Sequence, residues 1–212
     1  MQEPDETGLN AAVEGTADKQ RAIQSRQDQK DASGQKQESQ EPVQTGKQDK
    51  PVPPMPEQHL LKPGLEAEME LKPQFMAEGY HGSRKLDGKV AIVTGGDSGI
   101  GRAIAVLYAR EGADVAIMYL NEHEDAEETK RCVEAEGARC VTISGDVKDM
   151  EFCKQAVEQV VAHFGKLDVL VNNAAFQEHA QSLLDLTEER FDETMRTNIY
   201  GYFHMVKAAL PY

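Results

Sequence analysis

The stretch of sequence that decides the fold is Lys89-Val90-Ala91-Ile92-Val93-Thr94-Gly95-Gly96-Asp97-Ser98-Gly99-Ile100-Gly101-Arg102. Its first part is an apolar run of strand length, its middle is rich in glycine, and a helical pattern of apolar residues follows. Such a unit can lay a nucleotide pyrophosphate on a helix N-terminus, where free N–H groups and the positive end of the helix dipole meet the phosphates. The spacing Gly-x-x-x-Gly-x-Gly is looser than the general dinucleotide fingerprint, so its surroundings must support the interpretation.

Strand and helix patterns alternate downstream of this stretch. The predicted strands cover 90–94, 115–119, 141–144 and 168–172, and the predicted helices cover 102–111, 125–136, 150–164 and 187–210. The strands are nearly continuous apolar runs, as expected when helices cover both faces of a parallel sheet. The glycines Gly112, Gly137 and Gly165 follow three of the helices and can end them in the left-handed conformation. Residues 86–212 are therefore predicted to form a doubly wound, Rossmann-like α/β domain with its ligand site beyond the carboxyl ends of the strands.

Residues 1 to about 58 differ in composition from the rest of the chain. Ten of the first fifty residues are glutamine, eight of the nine prolines lie at or before Pro73, and the first aromatic residue is Phe75. Such a segment buries too little apolar surface to offset the entropy lost on ordering. We therefore expect residues 1–58 to be a disordered polar tail that either solubilises the chain or binds a partner.

Residues 59–85 form a second region, which we call the arm. Its scattered apolar residues are Leu60, Leu61, Leu65, Met69, Phe75 and Met76. The arm is too apolar for a free linker and too irregular for a domain. We expect it to pack along the globular body or onto a neighbouring subunit.

The net charge of the chain is −14, from 37 acidic and 23 basic residues. Because nucleic acids and anionic membranes attract cationic surfaces, neither is expected as the main partner. No apolar run approaches the ~18 residues of a membrane span, and no secretory-signal pattern follows Met1. The cysteines Cys132, Cys140 and Cys153 lack Cys-x-x-Cys spacing. Free thiols in a reducing, cytoplasmic compartment are therefore expected, and no metal site.

Four motifs, taken in order, resemble those of the short-chain dehydrogenase/reductase family. They are Thr94-Gly-x-x-x-Gly99-Ile100-Gly101, Gly145-Asp146-Val147, Asn172-Asn173-Ala174, and Asn198 within the long helix. The segments Pro56-Glu57-Gln58-His59 and Lys62-Pro63-Gly64 are similar to those of a bacterial subgroup with an N-terminal extension, which includes general-stress oxidoreductases. The resemblance implies NAD(P)-dependent hydride transfer between the nicotinamide and a carbonyl or alcohol substrate, and a homotetramer when the protein is complete.

The resemblance also implies roles for single residues. The backbone of the glycine-rich loop would approach the pyrophosphate, Asp146 would hydrogen-bond the adenine edge, Val147 would pack on its ring, and Asn173 and Ala174 would border the ribose. The implied cofactor-binding residues are Thr94, Gly95, Asp97, Ser98, Gly99, Ile100, Gly101, Tyr119, Asp146, Val147, Asn173 and Ala174. Asp146 would also suit a turn before the next helix, and Asn173 a turn at a strand end.

Asn198 is the implied catalytic residue, which would hold a water in a proton relay. Helical spacing places it on one face with Phe191, Met195 and Tyr202, and an asparagine on an otherwise apolar face must find hydrogen-bond partners. A satisfied asparagine with a structural role is the alternative, and the resemblance favours catalysis.

The choice between NAD and NADP rests on the end of the second strand. Neither an acidic residue for a ribose 2′-hydroxyl nor an arginine for a 2′-phosphate stands there, since the strand ends Tyr119-Leu120-Asn121. The acidic residues Glu122, Glu124 and Asp125 follow and would repel a 2′-phosphate if they faced it, which favours NAD.

The reaction of the family also needs a serine and a Tyr-x-x-x-Lys pair, and the 212 residues contain no such pair. We expect these groups beyond residue 212, with the sheet incomplete at its C-terminal end and the fragment alone inactive. The alternative is a non-catalytic nucleotide-binding or interaction protein.

Overall fold

A four-stranded parallel sheet forms the centre of the computed structural model, which describes residues 6–31, 53–77 and 79–212. The strands are β1 (Val90–Thr94), β2 (Asp114–Tyr119), β3 (Cys140–Ser144) and β4 (Val169–Val171). Their spatial order is β3-β2-β1-β4, and every neighbouring pair is parallel. Because the chain runs outward from β1 to β3 and then returns to the far side of β1, the topological switch lies between β1 and β4.

Helices cover both faces of the sheet, as predicted. The helices α2 (Gly99–Arg110) and α3 (His123–Ala135) pack on one face, and α4 (Met150–Phe164) packs on the other with α6 (Gly201–Ala209). Side chains alternate between the two faces along each strand. Val93 and Ile117 therefore pack in the core beneath α2 and α3, while Ile92 and Met118 pack in the core beneath α4 and α6. This two-sided burial explains why the strands read as continuous apolar runs.

The ends of the elements agree with the predictions to within a few residues. β1 and α4 have the predicted bounds, β2 and β3 begin one residue earlier than predicted, and β4 is one residue shorter at each end. The three predicted helix-ending glycines all have positive φ, with values of +96° at Gly112, +89° at Gly137 and +87° at Gly165. Each therefore turns the chain from a helix back to the sheet as expected.

The long helix predicted at 187–210 has a π-helical turn at its centre. It consists of α5 (Glu188–Met195), a π-helical turn (Arg196–Tyr200) and α6. Thr187 caps α5 as predicted, since its hydroxyl accepts a hydrogen bond from the Arg190 N–H at 3.3 Å. The wider π-turn rotates the residues that follow it. Phe191, which precedes the turn on the predicted apolar face, is 54% exposed.

The N-terminal segment differs from the predicted disordered tail, because Glu6–Asp31 form the helix α1. Its inward stripe combines apolar and amide side chains, namely Val13, Ala17, Gln20, Ile23, Gln24 and Gln27, all buried. The buried face of α1 therefore carries polar amides among its apolar side chains, so no apolar stripe marked the helix in the sequence. Ion pairs join α1 to α5, from Lys19 to Glu193 at 2.9 Å and from Arg26 to Glu189 at 2.8 Å. The parts of the predicted tail at 1–5 and 32–52 lie outside the described residues.

The three cysteines are free thiols, as predicted. Cys140 and Cys153 are buried and Cys132 is half-buried, and burial raises the pKa of both Cys140 and Cys153 to about 12. Within the described ranges, no helix is long and apolar enough to cross a membrane.

Candidate functional site

A cavity of about 340 Å³ opens at the carboxyl ends of the strands, beside the topological switch. All the predicted cofactor-binding residues except Thr94 and Gly101 line it. Parallel pairing brings the ends of β1, β2, β3 and β4 to this one edge, so motifs separated by up to about 80 residues meet there. The position is where ligands bind in open α/β sheets.

Thr94 and Asn173 build what we call the floor of the cavity, completed by Gly95 and Ala174. The Thr94 hydroxyl accepts hydrogen bonds from the backbone N–H groups of Asn173 at 2.9 Å and Ala174 at 3.0 Å, and donates one to the Val171 carbonyl at 3.2 Å. The Asn173 side-chain amide donates to the carbonyls of Thr94 and Gly95, both at 3.0 Å. Thr94 thus stands under the cavity, where it joins β1 to β4.

The glycine-rich loop packs so closely that two of its residues must be glycine. A Cβ atom at Gly101 would lie 1.8 Å from the Gly95 carbonyl oxygen, and Gly95 itself has a φ of +60° with 3.0 Å from its virtual Cβ to the Ala174 Cα. Behind this loop begins α2, whose first-turn N–H groups have no partners within the helix. The loop therefore places an anion-attracting helix end at the cavity.

Two buried carboxyl groups, Asp97 and Glu122, line the β2 side of the cavity, and we call them the acidic wall. Burial and the neighbouring Asp97 raise the pKa of Glu122 to about 7. Burial also raises the pKa of Asp97, although a 2.8 Å hydrogen bond from the Ser98 hydroxyl acts against this. None of the described residues that line the cavity is a lysine or arginine.

Asp146 and Val147 line the β3 side of the cavity. One Asp146 carboxylate oxygen accepts the Lys148 N–H at 2.9 Å, which is the turn geometry considered above, and the other accepts the Thr16 hydroxyl at 2.6 Å. Val147 is buried, and a Cβ at Gly201 would lie 2.7 Å from its side chain. The close approach of α6 therefore fixes the Val147 side chain beside Asp146.

The Asn198 side chain faces the segment that follows β4. Its amide oxygen accepts the Phe176 N–H at 2.8 Å, and its amide nitrogen donates to the Phe176 carbonyl at 3.0 Å. These two bonds correspond to the structural alternative for Asn198. Asn198 also lies in the π-helical turn, and π-turns within α-helices are frequent at functional sites.

Sequence reasoning missed residues that come to the site from outside the domain. Thr16 and Gln20 of α1 line the cavity, and no sequence signal marked them because their segment looked unstructured. Glu66 of the arm accepts a hydrogen bond from the Gly99 N–H at 2.6 Å, and the apolar character of the arm was its only signal. Within the described part of the chain, no group of His, Cys, Asp or Glu residues could hold a metal ion.

The chain matches the family model described as short chain dehydrogenase over residues 89–212. It is 54% identical over 151 residues to general stress protein 39 of Bacillus subtilis, a match that covers 71% of this chain and 53% of that protein. The chain spans about half the length of the curated relatives it matches.

Solved structures show the same fold. Carveol dehydrogenase from Mycobacterium avium in complex with NAD is 33% identical, with a TM-score of 0.58 over 60% of this chain and 50% of that one. A short chain dehydrogenase from Burkholderia cenocepacia in complex with NADP is 42% identical, with a TM-score of 0.57 over 60% of this chain and 52% of that one.

Proposed function

The chain belongs to the short-chain dehydrogenase/reductase family, and we propose that it forms the nucleotide-binding part of an NAD(P)-dependent oxidoreductase. The complete protein would exchange a hydride between the cofactor and a carbonyl or alcohol substrate. The observation that carries this proposal is the cavity at the strand ends, which joins the sequence motifs to the N-terminus of α2. The cofactor, when bound, supplies the hydride acceptor or donor, and the residues of this chain bind and orient it.

The glycine-rich loop and α2 would hold the pyrophosphate. The absence of a side chain at Gly101 lets the start of α2 pack against the Gly95 carbonyl, which brings the helix N-terminus to the cavity. The N–H groups of Ile100 and Gly101 belong to the first turn of α2 and attract negative charge. A pyrophosphate fits this end of the cavity for both reasons.

The other walls would orient the nucleosides. Asp146 and Val147 stand at the β3 side, where a carboxylate beside an apolar side chain suits the amino edge and the face of an adenine ring. The Thr16 hydroxyl would share the Asp146 carboxylate, since each carboxylate oxygen can accept two hydrogen bonds. The floor, with Asn173 and Ala174, would border a ribose.

The acidic wall favours NAD over NADP. A 2′-phosphate on the β2 side would approach Asp97 and Glu122, and no described cation lines the cavity to compensate. The pKa of Glu122 is raised to about 7, so its charge, and with it the repulsion, grows between about pH 6 and pH 8. The charge balance therefore supports NAD as the preferred cofactor.

Asn198 would contribute to the catalytic site chiefly by fixing the position of the backbone around it. Its side-chain amide is used by the backbone of Phe176, so it ties the long helix to the segment after β4. A role in a proton relay through a bound water stays a prediction, to be tested together with the Tyr-x-x-x-Lys pair expected in the complete protein.

The complete protein is proposed to be a homotetramer in the cytoplasm. Exposed apolar side chains crowd the helix from α5 to α6, namely Phe191, Ile199, Tyr200, Phe203, Val206 and Leu210. Contiguous apolar surface of this kind is typical of subunit interfaces. The free thiols support a reducing compartment.

Cofactor binding is tested by calorimetric titration of the chain with NAD and with NADP. We expect NAD to bind at least tenfold more tightly at pH 8, with the difference narrowing at pH 6 as Glu122 becomes protonated. Tighter binding of NADP at pH 8 would refute the preference for NAD, and no binding of either would refute the nucleotide site.

A charge variant locates the phosphates. Ile100 is 74% exposed at the start of α2, so Ile100→Glu adds a negative charge with little effect on folding. It should weaken NAD binding about tenfold at low salt, because the new carboxylate lies beside the phosphate-binding turn. Leu184→Glu, also exposed but outside the cavity, is the matched control, and equal effects of the two would count against the site. Activity is tested on the product of the complete reading frame, by absorbance at 340 nm with a panel of alcohols and aldehydes.

A further inference from the structure

The glycine-rich loop is held in place by a carboxylate that comes from the arm. The arm makes a short 3₁₀ turn at Glu66–Glu68, and Glu66 is buried although it is charged. One oxygen of its carboxylate accepts the Gly99 N–H at 2.6 Å, and the other pairs with the Arg102 guanidinium. Burying a carboxylate costs free energy unless it is paired and hydrogen-bonded, and both conditions are met here.

The N-terminus of α2 lacks a cap of its own. Ser98 occupies the N-cap position, but its hydroxyl makes no capping bond and donates instead to the Asp97 carboxylate. Glu66 replaces this cap from a position 33 residues earlier in the chain. A carboxylate at the N-terminus of a helix also interacts favourably with the helix dipole, so the arm supplies what the loop sequence omits.

Arg102 extends the same contact into the loop and α3. Its guanidinium donates to the Asp97 carbonyl at 2.8 Å and to the Thr129 hydroxyl at 2.8 Å. Asp125, in α3, accepts the Glu66 backbone N–H at 2.6 Å and lies 3.6 Å from the guanidinium. The arm makes a further contact through Phe75, whose ring centroid lies 5.0 Å from the guanidinium carbon. The conformation of Asp97 to Gly99 thus depends on Glu66 directly and through Arg102.

Glu66 contacts the loop outside the nucleotide cavity. It does not line the cavity at the strand ends, but lines a neighbouring cleft formed largely by the arm, where Ser98 and Gly99 are also found. Its carboxylate uses the Gly99 N–H, while the other first-turn N–H groups of α2 belong to Ile100 and Gly101. One N–H group at the start of α2 thus supports the loop, and two others are left for a phosphate.

We infer that Glu66 is a positioning residue of the cofactor site, which makes the arm part of that site. The inference rests on the proposed function for its effect on the cofactor, and on the hydrogen bonds alone for its effect on the loop. Removing the Glu66 charge should loosen the loop and weaken dinucleotide binding, even though a negative charge near the phosphates is lost.

The test compares Glu66→Gln with Glu68→Gln in the 212-residue chain. Glu68 lies in the same turn and is exposed, which makes it a matched control for charge. Two quantities are measured, the amide hydrogen-exchange rate of Gly99 by NMR without ligand and the Kd for NAD by calorimetry. We expect Glu66→Gln to raise the exchange rate at least tenfold and the Kd at least fivefold, since a charge-assisted bond is lost. Glu68→Gln should leave both within twofold.

The two readouts separate this inference from the proposed function. An unchanged Gly99 exchange rate in Glu66→Gln overturns the inference, and so does tighter NAD binding, which would make Glu66 a competitor of the phosphates. If the wild-type chain binds no dinucleotide, the proposed function fails while the exchange rate still decides whether Glu66 holds the loop.

Global unfolding is monitored by the amides of β1 and β2, which should keep their protection. If Glu66→Gln does not fold, Glu66→Asp decides the matter. The aspartate keeps the charge beside Arg102 but is one methylene short of Gly99, so faster Gly99 exchange is expected and an unchanged rate would overturn the inference.

Discussion

The floor of the cavity and its acidic wall are built on different physical principles. The floor uses neutral groups only, with the Thr94 hydroxyl and the Asn173 amide bonded to backbone atoms of neighbouring strands. The acidic wall uses carboxyl groups kept out of water, and the pKa of Glu122 shows the cost of their burial. Changes to the floor should therefore act through shape at any pH, whereas changes to the wall should act through charge and depend on pH.

The largest effect is expected where the floor meets the loop, at Gly101. In Gly101→Ala the new Cβ would overlap the Gly95 carbonyl oxygen, which is backbone and cannot move aside alone. We expect a loss of more than about 3 kcal/mol in unfolding free energy, above the usual range for overpacking, measured by urea denaturation. Gly99→Ala, which has open space but a φ of +50°, should cost about 1 kcal/mol from backbone strain alone. Equal losses would show that the loop is not closely packed.

The second-largest effect is expected at Thr94, and it tests whether the floor acts through shape and hydrogen bonds rather than through charge. Thr94→Val keeps the shape but leaves the N–H groups of Asn173 and Ala174 without an acceptor, which should cost about 3 kcal/mol. Thr197→Val is the matched control, because the Thr197 hydroxyl is buried and has no hydrogen-bond partner among the described residues. That change should be neutral or stabilising, and the loss at Thr94 should be the same at pH 5 and pH 8. A loss at Thr94 that varied strongly with pH would break the distinction between floor and wall.

The smallest of the three effects concerns the acidic wall. The pKa of Glu122 rises from its usual 4.5 to about 7 in the folded chain, so the folded state binds the extra proton in this window. The Glu122 contribution to stability therefore falls as pH rises from about 4.5 to about 7. Glu122→Gln should raise the unfolding free energy by on the order of 2 kcal/mol at pH 8 and leave it unchanged at pH 4. Glu124→Gln, exposed on the same helix, is the control; a pH-independent gain at Glu122 would contradict the raised pKa.

The fold was predictable from sequence because its signals are local. An apolar run followed by glycines sets β1 and the loop, and left-handed glycines set the helix ends at Gly112, Gly137 and Gly165. The π-helical turn at Arg196–Tyr200 was not predicted, since it depends on how the long helix packs rather than on its residue pattern.

The candidate site was predictable where its residues follow strands. The strand-end residues Thr94, Asn173 and Asp146 all meet at one edge, because parallel pairing fixes where strand ends lie. Glu66 and Thr16 were missed since they reach the site through tertiary contacts over long sequence separations. Sequence alone left Arg102 without a role, and its buried partners in the arm, the loop and α3 explain why it is buried.

The bonds between Thr94 and Asn173 also bear on the order of events during folding. They join residues 79 positions apart in the chain, so the loop after β1 cannot reach its final shape until β4 has docked beside it. Closing so long a loop is slow compared with forming local helices, which makes the cavity at the strand ends a late product of folding. A bound dinucleotide should then slow unfolding and leave the folding rate nearly unchanged.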